Sequence, residues 1–224
     1  MQKISTGASF VDQFLAGGYD PDIITTVYGP SGSGKTNLCL IAAVKMVQQG
    51  KKVILIDTEG GIAVERIKQL TPDFAALLPK MLFFNPLNFE EQKEIFEQLR
   101  KMITEQIGLV IVDSISMLYR LELGQSEEIY EVNSALGKQI AYLVEIARRR
   151  KIPVLITNQV YADFEDKSKV KMVGGDFLKY GSKCLLELQR NDGYRSLILR
   201  KHRSLPEGVE VRFRIVNEGL VEVY

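Results

Sequence analysis

Between an apolar, β-rich run at residues 23–28 and a helical stretch at residues 36–48, the chain reads Gly29-Pro30-Ser31-Gly32-Ser33-Gly34-Lys35-Thr36. Every fixed position of G-x-x-x-x-G-K-[ST] is filled, in the strand–loop–helix setting that the pattern requires. The glycines let backbone N–H groups converge on one point, and the following helix N-terminus adds its positive end there. Lys35 supplies a compact charge for β- and γ-phosphates, and Thr36 supplies a hydroxyl for Mg2+. A glycine-rich turn without a ligand is the bland alternative, and the ordered context argues against it. Residues 29–36 are therefore the candidate ATP-binding segment.

A loop of this kind needs a parallel sheet behind it, and the rest of the chain supplies the pattern. Residues 53–57 read as a strand, followed by Gly60-Gly61 and a helical segment at 63–70. Thr71-Pro72 reads as an N-cap with proline at the first helical position. Asn88 and Glu91 have capping-box spacing and predict a helix to about residue 106. Residues 109–113 are a buried-type strand. Residues 127–151 form the clearest helix, with Ile129, Val132, Leu136, Ile140, Leu143, Val144 and Ala147 on one face. Residues 153–158 are another strand. Alternation of this type predicts an α/β fold with a mostly parallel sheet flanked by helices. Beyond Gly174-Gly175 the pattern changes to strands at 183–190, 194–201, 210–216 and 220–224. Turns at residues 191–193 and 217–219 separate them, which predicts an antiparallel C-terminal extension.

Composition narrows the class. The 224 residues suit one domain with a full core, and 46% hydrophobic with 25% charged residues is ordinary for a globular chain. No apolar run approaches the ~20 residues of a membrane helix, and no secretory h-region opens the chain. Two cysteines make no disulfide framework. A cytoplasmic protein with no membrane partner is expected. The net charge of +1 hides a segregation: residues 167–214 carry twelve Lys or Arg against five acids, and the remainder leans acidic. That is either a solvated surface or the footprint of an anionic partner.

Two further carboxylates and an amide complete a candidate site. Asp113 ends the apolar run Leu109-Val110-Ile111-Val112, where a strand's C-terminal edge meets ligands in open α/β sheets. This is the Walker B pattern and the second Mg2+ candidate, acting through the metal's water shell. The next residue is Ser114, so no acid adjacent to Asp113 can activate water. Glu59, two residues past the strand ending at Asp57, is the candidate base. Gln159, following Thr157-Asn158 at the end of the 153–158 strand, is placed to bond a γ-phosphate or the attacking water and to pass the change onward. A turn acid and a polar strand end are the bland readings of these two.

In this order the motifs resemble the RecA-like recombinases, closest to the archaeal RadA and eukaryotic Rad-type group. The matching residues are Ile4-Ser5-Thr6-Gly7 with Asp12 and Gly17-Gly18, the P-loop, and Asp57-Thr58-Glu59-Gly60 with Glu65-Arg66-Ile67. Val112-Asp113-Ser114, Thr157-Asn158-Gln159-Val160 and Lys201-His202-Arg203 with Leu205-Pro206-Glu207-Gly208 complete the set. The resemblance implies a RecA-like P-loop NTPase core in which the 153–158 strand lies between the P-loop and Walker B strands. It implies Lys35, Glu59 and Gln159 as catalytic residues, with Glu59 orienting water. ATP and Mg2+ are the implied cofactors, with weak Mg-dependent ATPase activity.

Residues 119–127 and 161–175 fall where that family's DNA-facing loops lie. Lys167, Lys169 and Lys171 would neutralise phosphates, and Tyr161 and Phe164 would stack on unpaired bases. A mobile loop of solvated lysines is the alternative. Lys201 and Arg203 are further candidate DNA contacts, or contacts to a neighbouring subunit's phosphates. The lone His202 is assigned no chemistry. The expected partners are single-stranded DNA without sequence preference, recombination proteins, and a second copy of the chain, in the nucleoid region. Twenty-eight residues precede Gly29, so no N-terminal helix-hairpin-helix domain is expected and a helper in recombination and repair is favoured over a strand-exchange enzyme. An ATP-gated recruitment module without significant turnover and a KaiC-like signalling ATPase without DNA binding are competing functions.

Overall fold

The computed structural model describes residues 2–162 and 170–224. The first half runs α1 (Ser9–Phe14), β1 (Ile24–Tyr28), α2 (Lys35–Gln48), β2 (Lys52–Asp57), α3 (Val64–Leu70), α4 (Phe74–Leu77), β3 (Met81–Phe84), α5 (Phe89–Met102) and β4 (Ile107–Asp113). The second runs α6 (Met117–Leu123), α7 (Ile129–Arg150), β5 (Val154–Asn158), β6 (Val160–Ala162), β7 (Val170–Met172), α8 (Gly175–Gly181), β8 (Cys184–Arg190), β9 (Arg195–His202), β10 (Glu210–Val216) and β11 (Gly219–Val223).

Nine strands form one sheet in the order β11-β10-β9-β8-β1-β5-β4-β2-β3. The pairs from β8 to β3 are parallel, and β8 through β11 pair antiparallel. The reason is visible in the alternation of each central strand. Val53 and Leu55 enter one core and Ile54 and Ile56 the other; Leu109 and Ile111 oppose Val110 and Val112 in the same way. Successive side chains leave a strand on opposite faces, so an all-apolar strand demands cover on both. α1, α2 and α3 supply it on the first face and α5, α6, α7 and α8 on the second. β5 lies between β1 and β4, the order expected for a RecA-like sheet, and the antiparallel extension is present.

Several boundaries differ from expectation. Thr71 does not cap a helix. Its Oγ1 accepts from the Asp73 N–H at 3.3 Å and closes a turn around Pro72, so α4 is a single turn starting at Phe74. Asn88 caps α5 through the Glu91 N–H at 2.8 Å, while the Glu91 carboxylate reaches past Asn88 to the Leu87 N–H at 2.8 Å. That helix ends at Met102, four residues early, because β-branched Ile103 turns into the core. Part of the first expected DNA-facing segment is helical: Tyr119 lies in α6, buried edge-on against Phe89, with its hydroxyl on Asn133 at 2.6 Å.

The clamp near the N-terminus explains the spacing of Ser5, Thr6 and Asp12. The Asp12 carboxylate accepts from Ser5 Oγ at 2.6 Å, from the Thr6 N–H at 2.6 Å and from Thr6 Oγ1 at 2.7 Å. This fixes the start of α1, whose Phe10 packs on Phe213 of β10.

Candidate functional site

The loop after β1 must pass close to the neighbouring strand, which is why glycine stands at position 29. A Cβ there would lie 2.2 Å from the Leu188 carbonyl oxygen of β8. Gly34 has φ 105° and turns the chain directly into α2. Lys35 is buried and folds back so that Nζ donates to the Gly29 and Pro30 carbonyls, each at 3.0 Å. Burial lowers its pKa, with Glu59 and Asp113 pulling the other way. The buried Ser33 Oγ has no hydrogen-bond partner.

Asp113 stands at the floor. Thr36 Oγ1 donates to its Oδ2 at 2.6 Å, and Thr157 Oγ1 donates to its Oδ1. Burial raises the Asp113 pKa; the bonds from Thr157 and Thr36 lower it, and the charges of Glu59 and Asp57 raise it. Asp57, opposite Asp113 in the β2–β4 register, is used structurally. Its carboxylate accepts the N–H groups of Glu59 at 3.1 Å, Gly61 at 3.2 Å and Ile62 at 2.9 Å, shaping the turn that presents Glu59. Glu59 is exposed at the rim, and its Oε1 accepts from Gln159 Nε2 at 3.0 Å.

These groups surround a cavity of about 540 Å³ lined by Lys35, Thr36, Glu59, Gln159, Arg195 and Ile215, among others. The octapeptide, Lys35, Thr36, Glu59, Asp113 and Gln159 are thus brought to one place. Thr157, Arg195 and Ile215 were not expected. Thr157 was signalled by a hydroxyl in the otherwise apolar run Val154-Leu155-Ile156. Arg195 and Ile215 come from β9 and β10, distant in sequence, and pack beside Gly34; Arg195 Nε also donates to the Gly32 carbonyl at 3.3 Å. Arg66 links Asn37 of the cavity wall, at 2.6 Å, to the Val216 carbonyl at 2.9 Å and the Asn217 carbonyl at 3.0 Å.

The residues fit a nucleotide with Mg2+. The buried Ser33 hydroxyl has no partner, and the Lys35 ammonium rests on two neutral loop carbonyls that a phosphate could replace with charged acceptors. A single hydroxyl and a single carboxylate at the floor suit an ion that keeps much of its water.

Past Gln159, β6 and β7 form an antiparallel hairpin pairing Tyr161 with Lys171. The hairpin is anchored to β5: Asn158 Nδ2 donates to the Val173 carbonyl at 3.0 Å, and the Val173 N–H donates to the Gln159 carbonyl at 3.2 Å. Phe164, Lys167 and Lys169 lie outside the described residues. Lys201 and Arg203, the candidate contacts to DNA or to a neighbouring subunit's phosphates, lie away from the hairpin and make bonds within the chain. His202 pairs with Cys184 at the start of β8, the sheet end opposite the P-loop. Lys201 Nζ donates to the Ser182 carbonyl at 3.0 Å and to the Lys179 carbonyl. Arg203 holds Asp22 through two bonds of 2.9 and 2.7 Å and lies 3.1 Å from Asp20.

The Rad51 family profile matches residues 1–223. The chain is 39% identical to the DNA repair and recombination protein RadB of Methanobrevibacter smithii, over 98% of this chain and 95% of that one. It is 41% identical to the protein of the same name from Methanocaldococcus jannaschii, over 93% and 97%. Among solved structures it is similar to the crystal structure of the RadB recombinase, with a TM-score of 0.84, 37% identity, and 99% and 100% of the two chains covered.

Proposed function

The chain belongs to the Rad51 family, and from that premise we propose that it is an accessory protein of homologous recombination and DNA repair that binds ATP with Mg2+, turns it over slowly and engages single-stranded DNA. The observation that carries this is the pair of threonine hydroxyls on Asp113 beside Lys35, with Glu59 and Gln159 bridging the rim. Relatives at about 40% identity that are named for DNA repair and recombination support the biological setting.

The P-loop amides and Lys35 would hold the phosphates, and Thr36 and Asp113 would hold Mg2+ and its waters. Bound Mg2+ would neutralise charge on the phosphates. Glu59, exposed at the rim, would accept the proton of the water that attacks the γ-phosphorus in line. Gln159 hydrogen-bonds Glu59 through its side chain and carries the base of the β6–β7 hairpin through its backbone. A shift of Gln159 toward a γ-phosphate would therefore reach the DNA-facing hairpin directly.

The test is a titration of single-stranded DNA with and without ATP and Mg2+, repeated at several salt concentrations. Salt-sensitive binding that ATP strengthens is expected. A nucleotide-binding chain that ignores DNA at every salt concentration would sink the DNA half of the reading and favour a signalling ATPase.

A further inference from the structure

The turn that joins β8 to β9 leaves Arg190 and Arg195 directly opposite each other in the antiparallel register. Cross-strand partners share one face of the sheet, and like charges in that position repel and cost stability. The acids of the neighbouring strands do not relieve them. Glu187 of β8 holds Arg200, and Glu210 of β10 is taken by Ser196 and Arg212. Among the described residues neither Arg190 nor Arg195 has an ion pair. Both reach the phosphate loop. Arg190 Nη1 lies 3.4 Å from the point where a Cβ on Gly32 would stand, and Arg195 Cδ lies 3.6 Å from the same point on Gly34. Arg195 is half-buried, and Ile215 Cδ1 packs at 3.1 Å from that Gly34 position beside it. The one hydrogen bond of Arg195 among the described residues runs from Nε to the Gly32 carbonyl at 3.3 Å, so both terminal nitrogens are unpartnered.

The order of the strands separates the walls of the nucleotide cavity. β5, β4 and β2, which lead to Gln159, Asp113 and Glu59 at their C-terminal ends, all lie on one side of β1 and its loop. β8, β9 and β10 lie on the other side, so Arg195 meets the loop from the flank away from Glu59. Water attack at a γ-phosphate belongs with Glu59 and Gln159. The flank of Arg195 is left for the nucleoside end of the polyphosphate. A guanidinium held by Nε, with its terminal nitrogens free, matches two oxygens of one phosphate. An anion bound there would also relieve the repulsion between Arg190 and Arg195, which nothing in the chain itself relieves.

We propose that Arg195 is a second cationic contact to the bound nucleotide, taking the α-phosphate from the flank opposite Glu59, with Arg190 behind it raising the local positive potential. The assignment rests on the nucleotide-binding reading of the cavity and deepens it. Lys35 serves the β- and γ-phosphates from within the loop, and Arg195 serves the α-phosphate from the antiparallel extension. Because the α-phosphate is common to ATP and ADP, Arg195 strengthens both and does not discriminate between them. The like-charge pair costs the empty chain stability, and the nucleotide restores it.

The experiment measures ATP and ADP binding in the presence of Mg2+ by the full chain, unaltered and as Arg195→Gln, Arg195→Lys and Arg190→Gln. Unfolding midpoints are recorded with and without nucleotide. Arg195→Gln should weaken ATP and ADP by the same factor, roughly tenfold. Arg195→Lys keeps the charge without the fork and should fall between that variant and the unaltered chain. Arg190→Gln should weaken both nucleotides by a smaller factor. Without nucleotide, the midpoint of each Gln variant should be level with or above that of the unaltered chain, because the repulsion is gone, and the upward shift on adding ATP should shrink. If the unaltered chain binds neither nucleotide, the nucleotide reading falls and Arg195 with it. If Arg195→Gln binds both as the unaltered chain does, the Arg195 assignment is overturned while the loop reading stands. Loss confined to ATP would put the contact at the γ-phosphate and overturn the assignment to the α-phosphate. A further arm titrates an oligothymidylate: weaker DNA binding by Arg195→Gln with both nucleotide affinities intact would give the residue to DNA and overturn the proposal.

Discussion

Thr157 of β5 holds Asp113 of β4 from one side while Thr36 of α2 holds it from the other, so both oxygens of a buried carboxylate are occupied by hydroxyl donors. The two donors are not equivalent in consequence. Thr36 is the residue expected to turn to Mg2+, whereas Thr157 lies inside the sheet, on the strand between the P-loop and Asp113. Thr157 is therefore a positioning residue for Asp113, the carboxylate proposed to hold Mg2+ and its waters. Thr157→Val keeps the shape and removes the donor. It should destabilise the chain by about 1–3 kcal/mol, the cost of an unmet buried acceptor. It should also shift Mg2+-dependent nucleotide binding to higher pH, because Asp113, already raised by burial, loses a bond that lowers it. Thr157→Ser should restore both. Urea unfolding and nucleotide titrations across pH, in parallel on the two variants, check this.

Lys35 offers a second prediction. Its ammonium is buried against two loop carbonyls and is held below the ordinary lysine pKa by desolvation. Phosphate oxygens would replace those neutral carbonyls with charged acceptors. Lys35→Ala should leave the fold intact and weaken binding of a fluorescent ATP analogue roughly ten- to a hundredfold. Equal affinity of variant and unaltered chain would remove Lys35 from the site.

Glu59→Gln separates charge from connectivity. The glutamine side-chain oxygen still accepts from Gln159, so the bridge at the rim survives while the proton acceptor is lost. Turnover should fall by about 10²–10⁴ if Glu59 is the base, with nucleotide affinity little changed. A variant whose slow phosphate release matches the unaltered chain would point to an ATP-gated module in which hydrolysis has no part.

Much of this site was legible because its chemistry is local in sequence. Residues 29–36 carry their own geometry, and Asp113 and Glu59 sit at the ends of strands whose apolar runs are unmistakable. What escaped was what only tertiary structure assembles. Arg195 and Ile215 reach the cavity because the antiparallel extension folds β9 and β10 back beside Gly34, and no spacing along the chain encodes that. β3 was missed because Met81–Phe84 is a four-residue edge strand paired only with β2, too short to show a period. Lys201 and Arg203 illustrate the converse. Their charge was visible, but the carbonyls and the Asp20–Asp22 pair that absorb it come from other segments.

His202 gives the last prediction. Its ring is buried, with Nε2 3.1 Å from Asp20 Oδ2 at ion-pair distance, and Nδ1 accepts the Ser204 N–H at 3.1 Å. That bond fixes a neutral ring, since a protonated Nδ1 could not accept it. Burial lowers the His202 pKa, and the nearby Lys3 and Arg203 act in the same direction against the pull of Asp20. The folded-state value thus lies below the unfolded value of about 6.5, and the unfolded chain takes up a proton first as pH falls. The stability associated with this difference is present above about pH 6.5 and is lost as pH falls toward the folded-state value. Unfolding midpoints should therefore be level from pH 8 to about 7 and decline below about 6.5. The corresponding curve for His202→Gln, which cannot titrate there, should be flatter across that interval. A decline of the same steepness in both proteins would mean that other groups, and not His202, set the acid limb.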